Sequence, residues 1–310
     1  MYKPYCMAFW DFLLKKNKPV PSVPVQTFSN SELEAWKKPV PGPGGFDLPA
    51  YLLPHWDKIA ATALPSIHIE AVESDDLALE DSKFGHYPYL PALSYFPKDG
   101  DGNHLNLLAQ INCNELPPLE GFPNEGYLQF YIAFADDVYG LDFNDAQRQN
   151  KFRVLYFREE DYQQGYHSDF SAQENMPVPE NVYPPFENTR RLCFRSGTDY
   201  MGLNDFRGDP HTLLLDSIQE QYPEPLADKL AYHVPVEFSC GGHKMGGYAH
   251  FCQDDPRGSE EKWEDYILLL QIDSDDHINW GDAGVANFFI HKDDLAKRDF
   301  SKVLYNWDCY

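Results

Sequence analysis

The sequence predicts an α+β fold, a mostly antiparallel β-sheet with a few packed helices, laid out as two pseudo-symmetric halves of an internally duplicated chain. Three observations predict it. Two stretches share residues at a constant offset. The order of helical and extended segments is the same around each. The links between extended segments are too short for parallel crossovers.

Prolines at 19, 21, 24, 39, 41 and 43, with glycines at 42, 44 and 45, mark residues 1–46 as an extension with little regular structure. Inside it, Ser29 to Lys38 has the composition of one short helix. Leu52, Trp56, Ile59 and Ala63 then recur at helical spacing, with Pro54 in the first turn and Pro65 as the stop. Ser66 to Val72 alternates polar and apolar residues and reads as a strand, and Glu73 to Asp81 as an acidic loop.

The repeat follows. Lys83, Gly85, Tyr87, Leu107, Leu108, Gln110 and Ile111 match Lys244, Gly246, Tyr248, Leu268, Leu269, Gln271 and Ile272, each pair 161 residues apart. Gly126 to Ile132 matches Gly284 to Ile290, and each half closes on Val-Leu-Tyr, at 154–156 and 303–305. Ahead of the second motif, Asp209-Pro210 opens a helix with Leu214, Ile218 and Tyr222 on one face, and Val234 to Ser239 is expected as the strand that leads to Lys244. The expected organisation is therefore a first half at 47–157, a loop-dominated connector at 158–208 and a second half at 209–310, with 47–310 as one compact domain.

These residues resemble the YwqG-like family of bacterial proteins of unknown function. The signatures are Lys83 to Pro91, Leu107 to Asn112, Leu119 to Phe130 and Asp136 to Asp142, then Lys244 to Arg257, Leu268 to Asp276 and Trp280 to Ile290. Two departures stand out: His86 replaces a usual second glycine, and the proline-rich arm before residue 46 looks additional. The resemblance implies an internally duplicated α+β fold and supplies no reaction or substrate. An immunity-type role is conceivable from it.

Composition excludes several classes. Hydrophobic residues make up 43% and aromatics 15%, enough for a packed core. No apolar run approaches the roughly 20 residues that span a bilayer. Asp11 breaks the apolar run Met7 to Leu14, which argues against a secretory signal. Six cysteines (Cys6, Cys113, Cys193, Cys240, Cys252, Cys309) without framework spacing are expected as free thiols in the cytoplasm. A net charge of −24 argues against nucleic acid and against an anionic membrane as partner. Residues 1–40, with six lysines against three acids, are a basic arm on an acidic body.

Candidate sites gather in the second half. Cys240, His243, His250 and Cys252 lie within 13 residues and carry zinc-type ligands, but in no standard spacing; the alternative is a glycine-rich turn. Gly241 to Gly247 with Lys244 could form an anion-binding nest, or merely a turn needing positive φ. Asp99 to Asn103 begins like a calcium loop but lacks its glycine and glutamate. Gln271, Asp273 and Asp275 would share one strand face, near Trp280 and Asp282. A tryptophan that desolvates a carboxylate raises its pKa and makes an acid or base, whereas aspartates at strand ends also cap turns. The first-half counterparts, Asn112 and Asn114, cannot titrate. Gln110 and Gln271, polar in apolar strands, are expected to staple loop backbone. No nucleotide or hydrolase signature occurs, so no cofactor is expected. The function expected is a non-catalytic binding or interaction protein whose acidic surface engages a basic protein. The alternative is a hydrolase-like enzyme using second-half aspartates.

Overall fold

In the computed structural model, residues 30–310 are described except for 43–46, 75, 135, 172–183, 187, 201, 203–204, 208, 225 and 260. The expectations for Met7 to Leu14, for Cys6 and for the prolines before residue 30 lie outside the described residues.

The chain divides into two units. The smaller holds Met1–Leu53 and Ile218–Tyr232. In it, helix α1 (Asn30–Lys37) falls where the short helix is predicted, and β1 (Pro39–Pro41) pairs antiparallel with β2 (Asp47–Pro49). A two-stranded ribbon has only edges, so its prolines remove few ladder bonds. Tyr222 anchors this unit: its hydroxyl donates to Tyr51 O at 3.3 Å and its ring meets Trp36 edge-on at 5.2 Å.

The larger unit, Pro54–Ser217 and His233–Tyr310, carries the sheet. The single helix expected up to Ala63 is instead a 3₁₀ segment, Ala50–His55, followed by the short α2 (Trp56–Ala60). Pro54 lies within the 3₁₀ segment because its ring nitrogen cannot donate to the α-helical ladder. The strands are β3 (Leu64–Val72), β4 (Lys83–Phe84), β5 (Asn106–Asn112), β6 (Tyr127–Ile132), β7 (Phe152–Phe157), β8 (Arg190–Asp199), β9 (Lys244–Gly246), β10 (Tyr266–Asp273), β11 (Val285–His291) and β12 (Leu304–Asp308). They form one antiparallel sheet in the order β12-β11-β10-β9-β3-β8-β4-β5-β6-β7. Among the described residues the longer α-helices are α3 (Asp209–Gln221) and α4 (Leu226–Glu237), with the short α5 (Lys292–Lys297) after β11. The architecture is α+β.

The strand order is a mirror about the central pair β3–β8. On one side β4 pairs with β5 through Lys83 and Gln110; on the other β9 pairs with β10 through Lys244 and Gln271. Both β5 and β10 break register over a single residue, between Leu107 and Ala109 and between Leu268 and Leu270. Gln110 then faces Gln129 on β6, as Gln271 faces Asn287 on β11. One core cluster runs through both strand sets, with Phe130 and Phe288 in ring contact at 4.9 Å.

One further expectation is corrected. Val234 to Ser239 is not the strand before Lys244: most of it completes α4, where Leu226, Ala227, Leu230 and Val234 are buried at helical spacing. The connector, expected as loop-dominated, also supplies the ten-residue β8 at the centre of the sheet. Its arginines, serine and threonine masked the alternation that Leu192 and Phe194 share. β8, not 234–239, is the strand ahead of the second motif, and the two leading strands change sides: β3 borders β9 and β8 borders β4.

Candidate functional site

The two strand sets are held by the same hydrogen bonds. Gln110 Oε1 accepts from Tyr89 N at 2.7 Å, and its Nε2 donates to Leu79 O and Asp81 O. Gln271 Oε1 accepts from His250 N at 2.7 Å, and its Nε2 donates to Cys240 O and Gly242 O. Gln129 closes the first loop through Tyr89 O, and Asn287 closes the second through His250 O. Both glutamines therefore staple loop backbone, as their polarity in apolar strands implied.

The second-half candidates sit around this scaffold without converging on a common space. His243 Nδ1 accepts from Asp273 N at 3.0 Å, which leaves its proton on Nε2, facing Asp275 Oδ2 at 3.1 Å. Asp275 Oδ1 accepts from His277 N and Ile278 N. These bonds, the His243 contact foremost, hold its carboxyl well below the usual carboxylate range. Asp273 accepts from Gly242 N at 2.6 Å and Ser274 N at 2.8 Å, so the glycine-rich turn spends an amide on the chain's own carboxylate. Trp280 is fully buried against Tyr139 and Trp307, and Asp282 is exposed. The ring contacts of the tryptophan are thus with other aromatic residues.

The cysteine–histidine cluster is dispersed. Cys240 Sγ approaches Tyr200 O, Cys252 Sγ approaches Ala283 O, and His250 Nδ1 faces Ser239 O. Burial pushes both thiols up to about 12, away from the thiolate that binds metal. Among the described residues no group of three or more His, Cys, Asp or Glu is arranged to hold a metal ion. Asp99 likewise closes its own turn, accepting from Asp101 N and Asn103 N.

Lys244 lies elsewhere, buried in an ionic knot. Its Nζ donates to Asp199 Oδ2 at 2.7 Å, and the same oxygen accepts from Tyr248 N at 3.0 Å. Ser66 Oγ donates to Asp199 Oδ1 at 3.3 Å. Gly247, at φ +69, has no room for a side chain: an added Cβ would lie 2.1 Å from Asp199 Oδ2.

The first set departs from this pattern at one point. Lys83, only 2% exposed, reaches the carbonyls of Leu79 (2.6 Å) and Ala78 (3.4 Å) and pairs with no described carboxylate. Burial lowers its pKa to about 8. At the place of Gly247 stands His86, which keeps the left-handed backbone at φ +66 although it has a side chain. Its Nδ1 accepts from Tyr87 N at 2.6 Å, the bond that Asp199 takes in the other set. Desolvation, then the nearby Lys83 charge, lowers the basicity of this ring.

His86 opens onto a cavity of about 360 Å³ walled by the aromatic rings of Tyr87, Phe96, Tyr131, Phe134 and Phe186, with Asn106 and Thr189 as polar groups. Gly85 admits Phe186, whose ring would be 2.6 Å from a Cβ there. Phe186 also walls a second cavity of about 590 Å³, which Asp275 and the buried Arg190 line. Arg190 binds Glu73 at 2.9 Å, and its Nε has no partner among the described residues. Of the residues that line the first cavity, the sequence signalled Gly85, Tyr87, Leu107 and Tyr131 as parts of the repeat and His86 as a departure from glycine. Phe96, Phe134, Phe186 and Thr189 carried no signal, because they come from segments distant in the chain.

Residues 82–309 match the family model described as Domain of unknown function (DUF1963). No curated protein matches the chain.

Proposed function

We propose that this chain, which belongs to the DUF1963 family, acts by binding and not by catalysis. One observation carries the reading. The candidate acids Asp273 and Asp275 are consumed as acceptors of backbone and histidine N–H, while the His86 cavity presents Asn106 and Thr189, without side-chain partners among the described residues, between aromatic walls. A pocket of that make-up suits recognition of a small ligand. The same residues support a YwqG-like assignment within the family, and the mirrored strand order with matched staples supports origin by internal duplication.

A second reading concerns the exterior. Asp276 and Asp282 are exposed without side-chain partners among the described residues, on a chain of net charge −24. Such a surface would steer a basic protein, an immunity-type inhibitor being one version.

One experiment addresses both. The full chain is incubated with extract of its native cell, recovered, and read by native mass spectrometry for small molecules and by salt elution for proteins. A retained small molecule at one per chain is expected, and basic proteins should elute as salt rises. Turnover of an extract component that Asp275→Asn abolishes would overturn the binding reading, as would recovery of the bare chain alone.

A further inference from the structure

Resting on the binding reading, we infer that the His86 cavity takes a carboxylate carried on a flat apolar or aromatic body, its carboxylate entering the niche that Asp199 fills in the second strand set. The argument is a comparison of two equivalent places. In the second set one carboxylate satisfies three donors: the Lys244 ammonium, the Tyr248 amide and the Ser66 hydroxyl. In the first set the corresponding donors are Lys83, Tyr87 N–H and Thr189. Extending the Phe84–Arg190 pairing by one step sets Gly85 opposite Thr189, as Gly246 is opposite Ser66. Among the described residues no carboxylate joins them.

Lys83 makes do with two carbonyls, which carry partial charge only. The Tyr87 amide is occupied by the ring of its own neighbour, His86. Neither the Thr189 hydroxyl nor the Asn106 amide makes a side-chain hydrogen bond among the described residues. Tyr87 and Thr189 therefore line an open aromatic cavity, with the His86 ring over the Tyr87 amide and the buried Lys83, close enough for its charge to act on that ring, donating to carbonyls behind it. That ring sits on a left-handed backbone conformation, φ +66, which glycine adopts at less cost than a residue with a side chain.

Binding follows from these parts. The ligand's body lies between Phe96, Phe134 and Phe186, the His86 ring rotates off Tyr87 N–H, and the freed amide and the Lys83 ammonium share one carboxylate oxygen. Thr189 donates to the other. A charge-assisted bond from a desolvated ammonium is worth far more than the same bond in water, so the anion overcomes the repulsion of an acidic chain.

The test uses the full chain and two probes of equal shape, 3-phenylpropanoate and its uncharged amide, titrated by calorimetry. The acid is expected to bind at least about tenfold more tightly than the amide. Lys83→Met should erase that difference. Thr189→Val should reduce acid affinity several-fold and leave the amide unchanged. His86→Gly, which restores glycine at a positive φ, should fold at least as well as the parent and bind the acid more tightly. Equal affinities for acid and amide in the parent chain, no binding of the acid, or weaker acid binding by His86→Gly would each overturn the inference. If the native extract yields a retained small molecule while phenylpropanoate fails, this inference falls and the binding reading stands.

Discussion

At matched places in the two strand sets, Lys83 and Lys244 meet opposite electrostatic surroundings. Lys244 has a buried carboxylate at 2.7 Å, whereas the hydrogen bonds of Lys83 among the described residues go to carbonyl oxygens. The consequence for Lys83 can be measured. Its folded pKa is about 8 against an ordinary 10.5, so between those values the unfolded chain binds more protons than the folded one. Stability contributed by this site is therefore lowest below pH 8 and rises as pH climbs towards 10.5. The full gain is on the order of 3 kcal/mol. Lys83→Met removes the titration: the parent should gain stability relative to the variant between about pH 8 and about pH 10 in urea unfolding. A parent–variant difference that stays flat, or moves the other way, would refute the lowered pKa. The lysine itself was legible in the sequence as half of a repeated pair; its lack of an acid was not, because Asp199 approaches the other lysine from a strand 45 residues away in the chain.

At the scale of elements, the staples decide which loops are ordered. Gln271 satisfies one amide and two carbonyls that are otherwise remote from any ladder. Leucine fills nearly the same volume and satisfies none of them. Each buried polar group left without a partner costs about 1–3 kcal/mol, so Gln271→Leu should destabilise the chain by roughly 3 kcal/mol. Gln110→Leu should cost at least as much, since Gln110 also accepts from Gln129 Nε2. Denaturant midpoints with unchanged slopes would check both; a loss under about 0.5 kcal/mol, the scale of an ordinary surface substitution, would show that water replaces the staple. Here the sequence carried most of the answer. A glutamine amid Leu107–Ile111 and again amid Leu268–Ile272 is polar in a core strand, and such a group must find partners. Which carbonyls it finds depends on loop closure. The helix α4 shows the opposite case: Val234 to Ser239 reads locally as strand, yet the buried face started at Leu226 carries the helical period through Val234.

For the molecule as a whole, net charge acts against compactness. Forty-nine acids against 25 lysines and arginines repel one another in the folded state more than in the expanded one. Added salt screens that repulsion over a Debye length of about 10 Å at 0.1 M. The urea midpoint should therefore rise between about 0.02 M and about 0.5 M sodium chloride. A fall would mean that specific pairs dominate instead. The pairs with most to lose are the buried ones: Lys244–Asp199, and Arg257 between Asp205 (2.8 Å) and Asp255 (2.7 Å). Because those lie out of water, salt screens them least, and the repulsive surface is expected to win.

By itself the sequence determined the α+β class, the matched Lys-x-Gly-x-Tyr motifs, the stapling glutamines and the odd histidine at residue 86. All of these follow from local pattern: period, polarity in apolar runs, and glycine where φ must be positive. Only the tertiary structure decided that β3 and β8 change sides at the centre of the sheet. The same exchange gives Asp199 to Lys244 and leaves Lys83 with no paired carboxylate among the described residues. The reason is physical: strand pairing and charge pairing are contacts between distant segments, and composition sets how many donors and acceptors exist without saying which of them meet.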